Sequence, residues 1–244
     1  AAMLVRLKKN LCSAQIAPIV VFTVADWLTD SKACLGKVTS SLADGPWIVR
    51  SSCSREDTSV GSNAGAFLTI KDVTVIDLET SIEKVIASYG DTIVTDEVLI
   101  QPMLKDVIRS GVAFSHDPNT CSPYRIVNWS EGNDTSTVTG GAGGRTWIQA
   151  AKSPLLPPED LSGVFELLNE LLELFGNEPL DFEFAFTASA LPAPSSTTRG
   201  EPALWLLQVR RLILRSPPEL EVIQSARLRC IQDKLARGMQ PGVK

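Results

Sequence analysis

The sequence predicts an α+β fold of mainly antiparallel sheet, and three observations carry that reading. The first half alternates β-branched runs with helical periodicity. From Val98 to Trp129 it then becomes strand-rich, with turn-rich joins and no helix between strands. Further on, Phe182 to Phe186 and Leu204 to Leu212 alternate apolar and polar residues around the Pro/Ser/Thr-rich stretch Pro192 to Pro202, which reads as a long hairpin. A doubly wound sheet needs a crossover helix after each strand, so it is disfavoured.

Elements follow in order. Met3, Leu4, Leu7 and Leu11 recur at helical spacing with Arg6, Lys8 and Lys9 between them, predicting an amphipathic helix over Ala2 to Cys12. Ile19 to Val24 is a strand after Pro18, and Thr23 with Asp26 three residues later can cap a short helix. Asp44-Gly45-Pro46 is a turn and Trp47 to Val49 a buried strand. Ser54 to Gly65 is a polar loop and Ala66 to Ile70 a returning strand. Ile76, Ile82, Val85 and Ile86 mark a helix from Ile76 to Tyr89, with Gly90 as its stop. Val98 to Met103, Val112 to Phe114 and Arg125 to Trp129 are strands. Thr139 to Gly144 is a glycine-rich loop, and Pro157-Pro158 leads into a helix from Glu159 to Phe175 that Gly176 ends. A basic helix covers Ser225 to Arg237.

The 244 residues suffice for one large domain or two subdomains, and 44% hydrophobic with 21% charged residues is ordinary globular composition. A net charge of −5 argues against a sequence-independent nucleic-acid binder, which needs a basic footprint. Five cysteines without Cys-x-x-Cys spacing support neither a zinc site nor a disulfide framework, and reduced thiols in a cytoplasmic protein are the simplest reading. The most apolar helical segment, Leu161 to Phe175, is broken by Glu166, Asn169, Glu170 and Glu173, so no membrane segment or signal peptide is expected.

Four stretches carry the candidate chemistry. Val49-Arg50-Ser51-Ser52-Cys53-Ser54 runs from a buried strand into a polar loop with a cation at the junction, which suits an anion; an internal ion pair to Glu56 or Asp57 is the plain alternative. Ser110-Gly111-Val112-Ala113-Phe114-Ser115-His116-Asp117-Pro118 follows, its Asp117-Pro118 a turn and its His116, the sole histidine, an incidental surface residue. Asp181-Phe182-Glu183-Phe184 and Leu206-Leu207-Gln208-Val209-Arg210 then lie on the paired hairpin strands. There Glu183 and Gln208 can share a hard cation, with Asp181 and Arg210 on the same face. A cross-strand pair of Glu183 with Arg210 is the ordinary alternative. The glycine-rich loop is neither a Walker A motif nor a dinucleotide fingerprint.

In this order and spacing the stretches resemble the ATP-binding domain of the phosphoenolpyruvate synthase and pyruvate phosphate dikinase family, an ATP-grasp module. The resemblance implies two subdomains with ATP between them, divided between Ser88 and Asp96: 1–90, 91–215 and a linker over 216–244. It implies that Arg50 and Arg210 contact phosphate as the catalytic cations, and that Ser54 belongs to a phosphate lid over Ser54 to Gly65. Gln101, Met103 and Leu104 become the hinge that meets adenine, although Pro102 alone reads as an edge strand. Glu183, Gln208 and Asp181 become the Mg²⁺ set. The implied cofactors are ATP and Mg²⁺. The implied reaction cleaves ATP to AMP and phosphate through a phosphohistidine on another domain, for a small-molecule acceptor. Ser130 to Thr135 and Val138 to Gly141 look like the glutamine kinase branch. The family's opening lysine would fall just before Ala1, and both ends read as cut from a longer protein. A non-catalytic nucleotide-sensing or scaffold domain and a ligase on the same fold are the competing readings.

Overall fold

The computed structural model describes residues 2–52, 68–90, 93–132, 144–188 and 202–238. Two antiparallel sheets carry the chain, a four-stranded sheet in the order β1-β4-β2-β3 and a five-stranded sheet in the order β7-β6-β5-β8-β9. With their helices they form an α+β protein.

The chain opens with α1 (Ala2–Leu7). This helix is shorter than its apolar spacing predicts, because the backbone N–H groups of Cys12 and Ser13 turn outward to the Glu170 carboxylate at 2.7 and 2.8 Å instead of continuing the helix. β1 (Val20–Thr23) follows, and Thr23 forms the expected capping box with Asp26 at the start of α2 (Val24–Thr29). α3 (Ser31–Ser41), capped by Asp30, is unpredicted: its Ser/Thr content and Gly36 hide the two buried positions, Cys34 and Val38. β2 (Trp47–Ser52), β3 (Thr69–Val73) and α4 (Leu78–Ala87) come next. α4 begins at Leu78, which is fully buried, while Ile76 is 91% exposed and lies outside it.

β4 (Glu97–Pro102) inserts between β1 and β2. It therefore belongs to the first sheet, and the change of sheet falls after Pro102 rather than between Ser88 and Asp96. The edge-strand reading of Pro102 is also corrected. β1 pairs with β4 only as far as Val20 opposite Ile100, so Pro102 sits where β4 has a single neighbour and its missing N–H breaks no ladder on the other side.

The second sheet comprises β5 (Val107–Phe114), β6 (Tyr124–Glu131), β7 (Arg145–Ala150), β8 (Leu180–Thr187) and β9 (Ala203–Arg211). Between β7 and β8, a 3-10 turn over Glu159–Leu161 leads into α5 (Ser162–Leu174), after which Gly176 adopts φ +66 and ends the helix. The chain closes with α6 (Glu221–Ala236).

Each sheet has its own core. Trp47, Val49 and Ile100 of the first sheet pack with Val38, Leu78, Ile82 and Val85 of α3 and α4. In the second, Phe182, Phe184 and Leu206 pack with Leu167, Leu168 and Leu171 of α5, joined by Leu4 and Leu7 of α1 and by Leu99 of β4. The first helix thus ties the two sheets together. Gly111 of β5 is required by this packing, since a Cβ there would lie 2.2 Å from the Asn128 carbonyl and 2.8 Å from the Phe184 ring.

One irregularity in β9 matters for the site. Glu183 faces Gln208, yet the next residue, Phe184, faces Leu206, so Leu207 is an extra residue that has no partner on β8.

Candidate functional site

Pairing of β8 with β9 places Asp181 opposite Arg210 and Glu183 opposite Gln208. Phe182 and Val209, between them, turn to the α5 core. Side chains alternate across a strand, so Asp181, Glu183, Gln208 and Arg210 share the other face, as the hairpin reading predicts. That face also carries Val112 and Phe114 of β5, the register partners of Glu183 and Asp181.

Arg50 reaches this group from the other sheet. It lies near the end of β2, flanked in register by Leu99 and Thr69, and its Nη2 donates to Oε1 of Gln208. The plain alternative partners, Glu56 and Asp57, lie outside the described residues, as do Ser54, the rest of the expected lid over Ser54 to Gly65, and residues 133–143. Arg50 and Arg210 therefore come from different sheets.

Arg210 engages Asp181 rather than Glu183. Its Nε donates to both carboxylate oxygens at 3.0 and 2.8 Å, and Asp181 is only 3% exposed. The structure thus gives Asp181 a cation-holding task beside its predicted place in the metal set. Glu183 is half-buried, and its carboxylate has no hydrogen-bond partner among the described residues, which leaves it open to a cation. No group of three or more His, Cys, Asp or Glu side chains placed to hold a metal occurs among the described residues. Glu183 and Gln208 supply hard oxygens of the kind Mg²⁺ accepts when water and phosphate oxygens complete its shell.

The proposed hinge leaves β4 beside the turn at Pro46. Gln101 is buried, the Met103 N–H donates to the Pro46 carbonyl at 2.9 Å, and Leu104 packs against Ala17, Ala203 and Trp205. A cavity of about 660 Å³ opens elsewhere, between α1 and β1, lined by Arg6, Lys9, Thr23, Asp26 and Glu97 among others. None of the predicted site residues lines it.

His116 is not a surface residue. It is 6% exposed, and its Nδ1 lies 3.0 Å from the Ser115 hydroxyl; burial first, and the Arg125 charge second, hold its pKa below the usual histidine value. Asp117 is committed to its turn, where its carboxylate accepts from the Asn119 N–H and the Thr120 hydroxyl at 2.9 and 2.7 Å. Arg125, 7% exposed, was not singled out by the sequence, because its partner Glu221 lies 96 residues away.

The fold and site define an α+β protein in which two antiparallel sheets meet at a cluster of two arginines, two carboxylates and an amide. No protein-family model matches the sequence, and no curated protein matches it. Among solved structures the chain is similar to the D-alanine-D-alanine ligase of Helicobacter pylori, with 13% identity, 87% of this chain and 53% of that one covered, and a TM-score of 0.49. It is similar to D-alanyl-alanine synthetase A of Vibrio cholerae O1 biovar eltor at 11% identity over 96% and 64% of the two chains, with a TM-score of 0.41. For the VanG D-Ala:D-Ser ligase of Enterococcus faecalis the values are 12%, 86%, 50% and 0.43. The chain spans between about half and two thirds of the length of these proteins. Similarity at this level assigns no residue a role, and the roles rest on the geometry. No helix among the described residues is long and apolar enough to cross a membrane.

Proposed function

We propose that the meeting of the two sheets is the MgATP site of an ATP-grasp domain. The observation that carries this is the convergence of Arg50, from one sheet, on the Gln208–Glu183 and Arg210–Asp181 pairs of the other. A triphosphate carries several negative charges and needs cations fixed on more than one side, with Mg²⁺ between its oxygens. Arg50 and Arg210 are the cations, and Glu183 and Gln208 hold the metal, with Asp181 fixing Arg210. Held by Glu183 and Gln208, Mg²⁺ would supply charge neutralisation at the phosphate oxygens. Gln208 must then exchange its contact with Arg50 for the ion, which frees the guanidinium for phosphate. Gln101, Met103 and Leu104 line the adenine end.

The finer reading follows the sequence resemblance: a phosphotransferase of the phosphoenolpyruvate synthase type that yields AMP and phosphate. It passes the phosphoryl group through a histidine on another domain to glutamine or another small metabolite. A nucleotide-sensing domain is the second reading, favoured by the fact that both arginines already have protein partners.

Titration calorimetry tests the site. MgATP is expected to bind and to stabilise the fold, by roughly 2.7 kcal/mol at a hundredfold excess over Kd. Glu183→Gln and Gln208→Ala are expected to weaken Mg²⁺-dependent binding more than metal-free binding. Unchanged magnesium dependence in both would make them strand residues only. Production of AMP separates the enzyme from the sensor.

A further inference from the structure

We propose that Glu221, Arg125 and Ser115 are positioning residues for Arg210, so that α6 sets the strength of the phosphate site; this rests on the nucleotide reading above. The base of α6 is seated on the second sheet by an ion pair whose sheet partner, Arg125, is buried. Glu221 accepts from Arg125 Nη2 at 2.7 Å through one oxygen and from Lys152 Nζ at 3.2 Å through the other. Burial alone would raise the Glu221 pKa, but Lys152 and Arg125 bring it below the usual value, so the carboxylate is ionised at neutral pH. Beside it, Glu219 accepts from the Ser122 hydroxyl at 3.0 Å and pairs with Arg227 at 2.6 Å.

From Glu221 a chain of short contacts runs to the site. Arg125 Nη1 donates to the Ser115 carbonyl at 2.6 Å. Ser115 is fully buried and brackets one residue, Leu180: its N–H donates to the Leu180 carbonyl at 2.9 Å, and its hydroxyl accepts from the Leu180 N–H at 2.8 Å. Leu180 is followed in the chain by Asp181, whose carboxylate grips Arg210. The hydroxyl is further restricted by His116 at 3.0 Å.

No link in this chain is slack. If Glu221 moves with α6, Arg125 must follow or remain as an unpaired buried charge, which is costly. Following shifts the Ser115 carbonyl and with it the start of β8. A displacement of α6, most of whose length from Arg229 onward is exposed, is therefore expressed at Arg210.

The test uses the full chain. The Arg210 Nε–H resonance, assigned by its loss in Arg210→Met, reads the link without nucleotide. In Glu221→Gln and in Ser115→Ala it is expected to shift and to exchange faster with solvent; an unchanged resonance in both folded variants overturns the proposal. Calorimetry then reads the consequence. Glu221→Gln is expected to weaken MgATP binding by roughly two- to thirtyfold in the wild-type background, the range of measured coupling energies, with no further loss in Arg210→Met. Equal losses in both backgrounds overturn the link. A wild-type chain that takes no MgATP sinks the nucleotide site instead, while the Arg210 resonance still decides the coupling.

Discussion

Arg50 and Arg210 differ in what they leave behind when removed. Replacing Arg50 with Met frees the amide of Gln208, which is only partly buried, so the expected loss of stability is within about 1 kcal/mol. Replacing Arg210 with Met takes from Asp181, 3% exposed, the guanidinium that holds both its oxygens. That variant is expected to lose about 1–3 kcal/mol in urea unfolding, and adding Asp181→Asn is expected to recover part of it. In binding the two are expected to behave alike: each loses about 1.5–3 kcal/mol of ATP affinity and none for adenosine, measured by calorimetry. Equal losses for both ligands would mean that the arginines hold the fold rather than the phosphates. That Asp181, Glu183, Gln208 and Arg210 share one face was legible in the sequence, because alternation and a hairpin fix it, whereas the ion partner of Arg210 is Asp181 and not the Glu183 that the sequence offered. The reach of Arg50 to Gln208 was not legible, since no local pattern records a contact between residues 158 apart.

Among the elements, the segment that follows α1 is tied to α5 by one carboxylate, that of Glu170, which accepts from the Cys12 and Ser13 N–H groups. Burial alone would raise the Glu170 pKa, but hydrogen bonds from Ser13 and Cys12 bring it below the usual value. A lowered folded pKa means a contribution that is present above the unfolded value of about 4.3 and lost as pH falls below it. Glu170→Gln is therefore expected to be less stable than wild type at pH 7, by about 1 kcal/mol for a partly exposed group, with the gap closing near pH 3 in urea titrations. A gap independent of pH would assign the loss to shape. On β5, Gly111→Ala pushes a methyl group into the Asn128 carbonyl, a backbone atom that cannot step aside, and is expected to cost about 3 kcal/mol or more. The elements that were missed share one cause. α3 is rich in Ser and Thr with few buried positions, and β7 is a largely exposed edge strand, so neither buries enough apolar surface to impose a period. Where burial is deep, as at Leu78, Ile82 and Val85 of α4, the period showed through, and only the start at Ile76 was misplaced.

At the scale of the molecule, the cores of the two sheets are joined, because Leu99 belongs to a first-sheet strand yet packs with Leu4 and Leu7 into the second sheet's cluster. Unfolding is expected as a single transition with equal calorimetric and van't Hoff enthalpies. Leu99→Ala is expected to lower its midpoint without splitting it, at a cost of about 2–5 kcal/mol. Two resolved transitions would mean that the sheets melt independently. The sheets are also unequal in how they meet solvent, since β9 shows core residues and site residues on one strand: Leu204 and Leu206 face α5, whereas Gln208 and Arg210 face away from it. Even-numbered positions change sides at Leu207. That residue therefore works as a counter more than as a contact, switching the strand from one parity to the other. Leu207 still packs against Ala17, Ala203 and Trp205, so Leu207→Thr is expected to cost some stability without changing which side chains share a face, whereas one residue inserted between Gln208 and Val209 leaves every side chain intact and turns Arg210 toward the core. Along this strand, chain length is itself a functional character, subject to selection independently of any side chain.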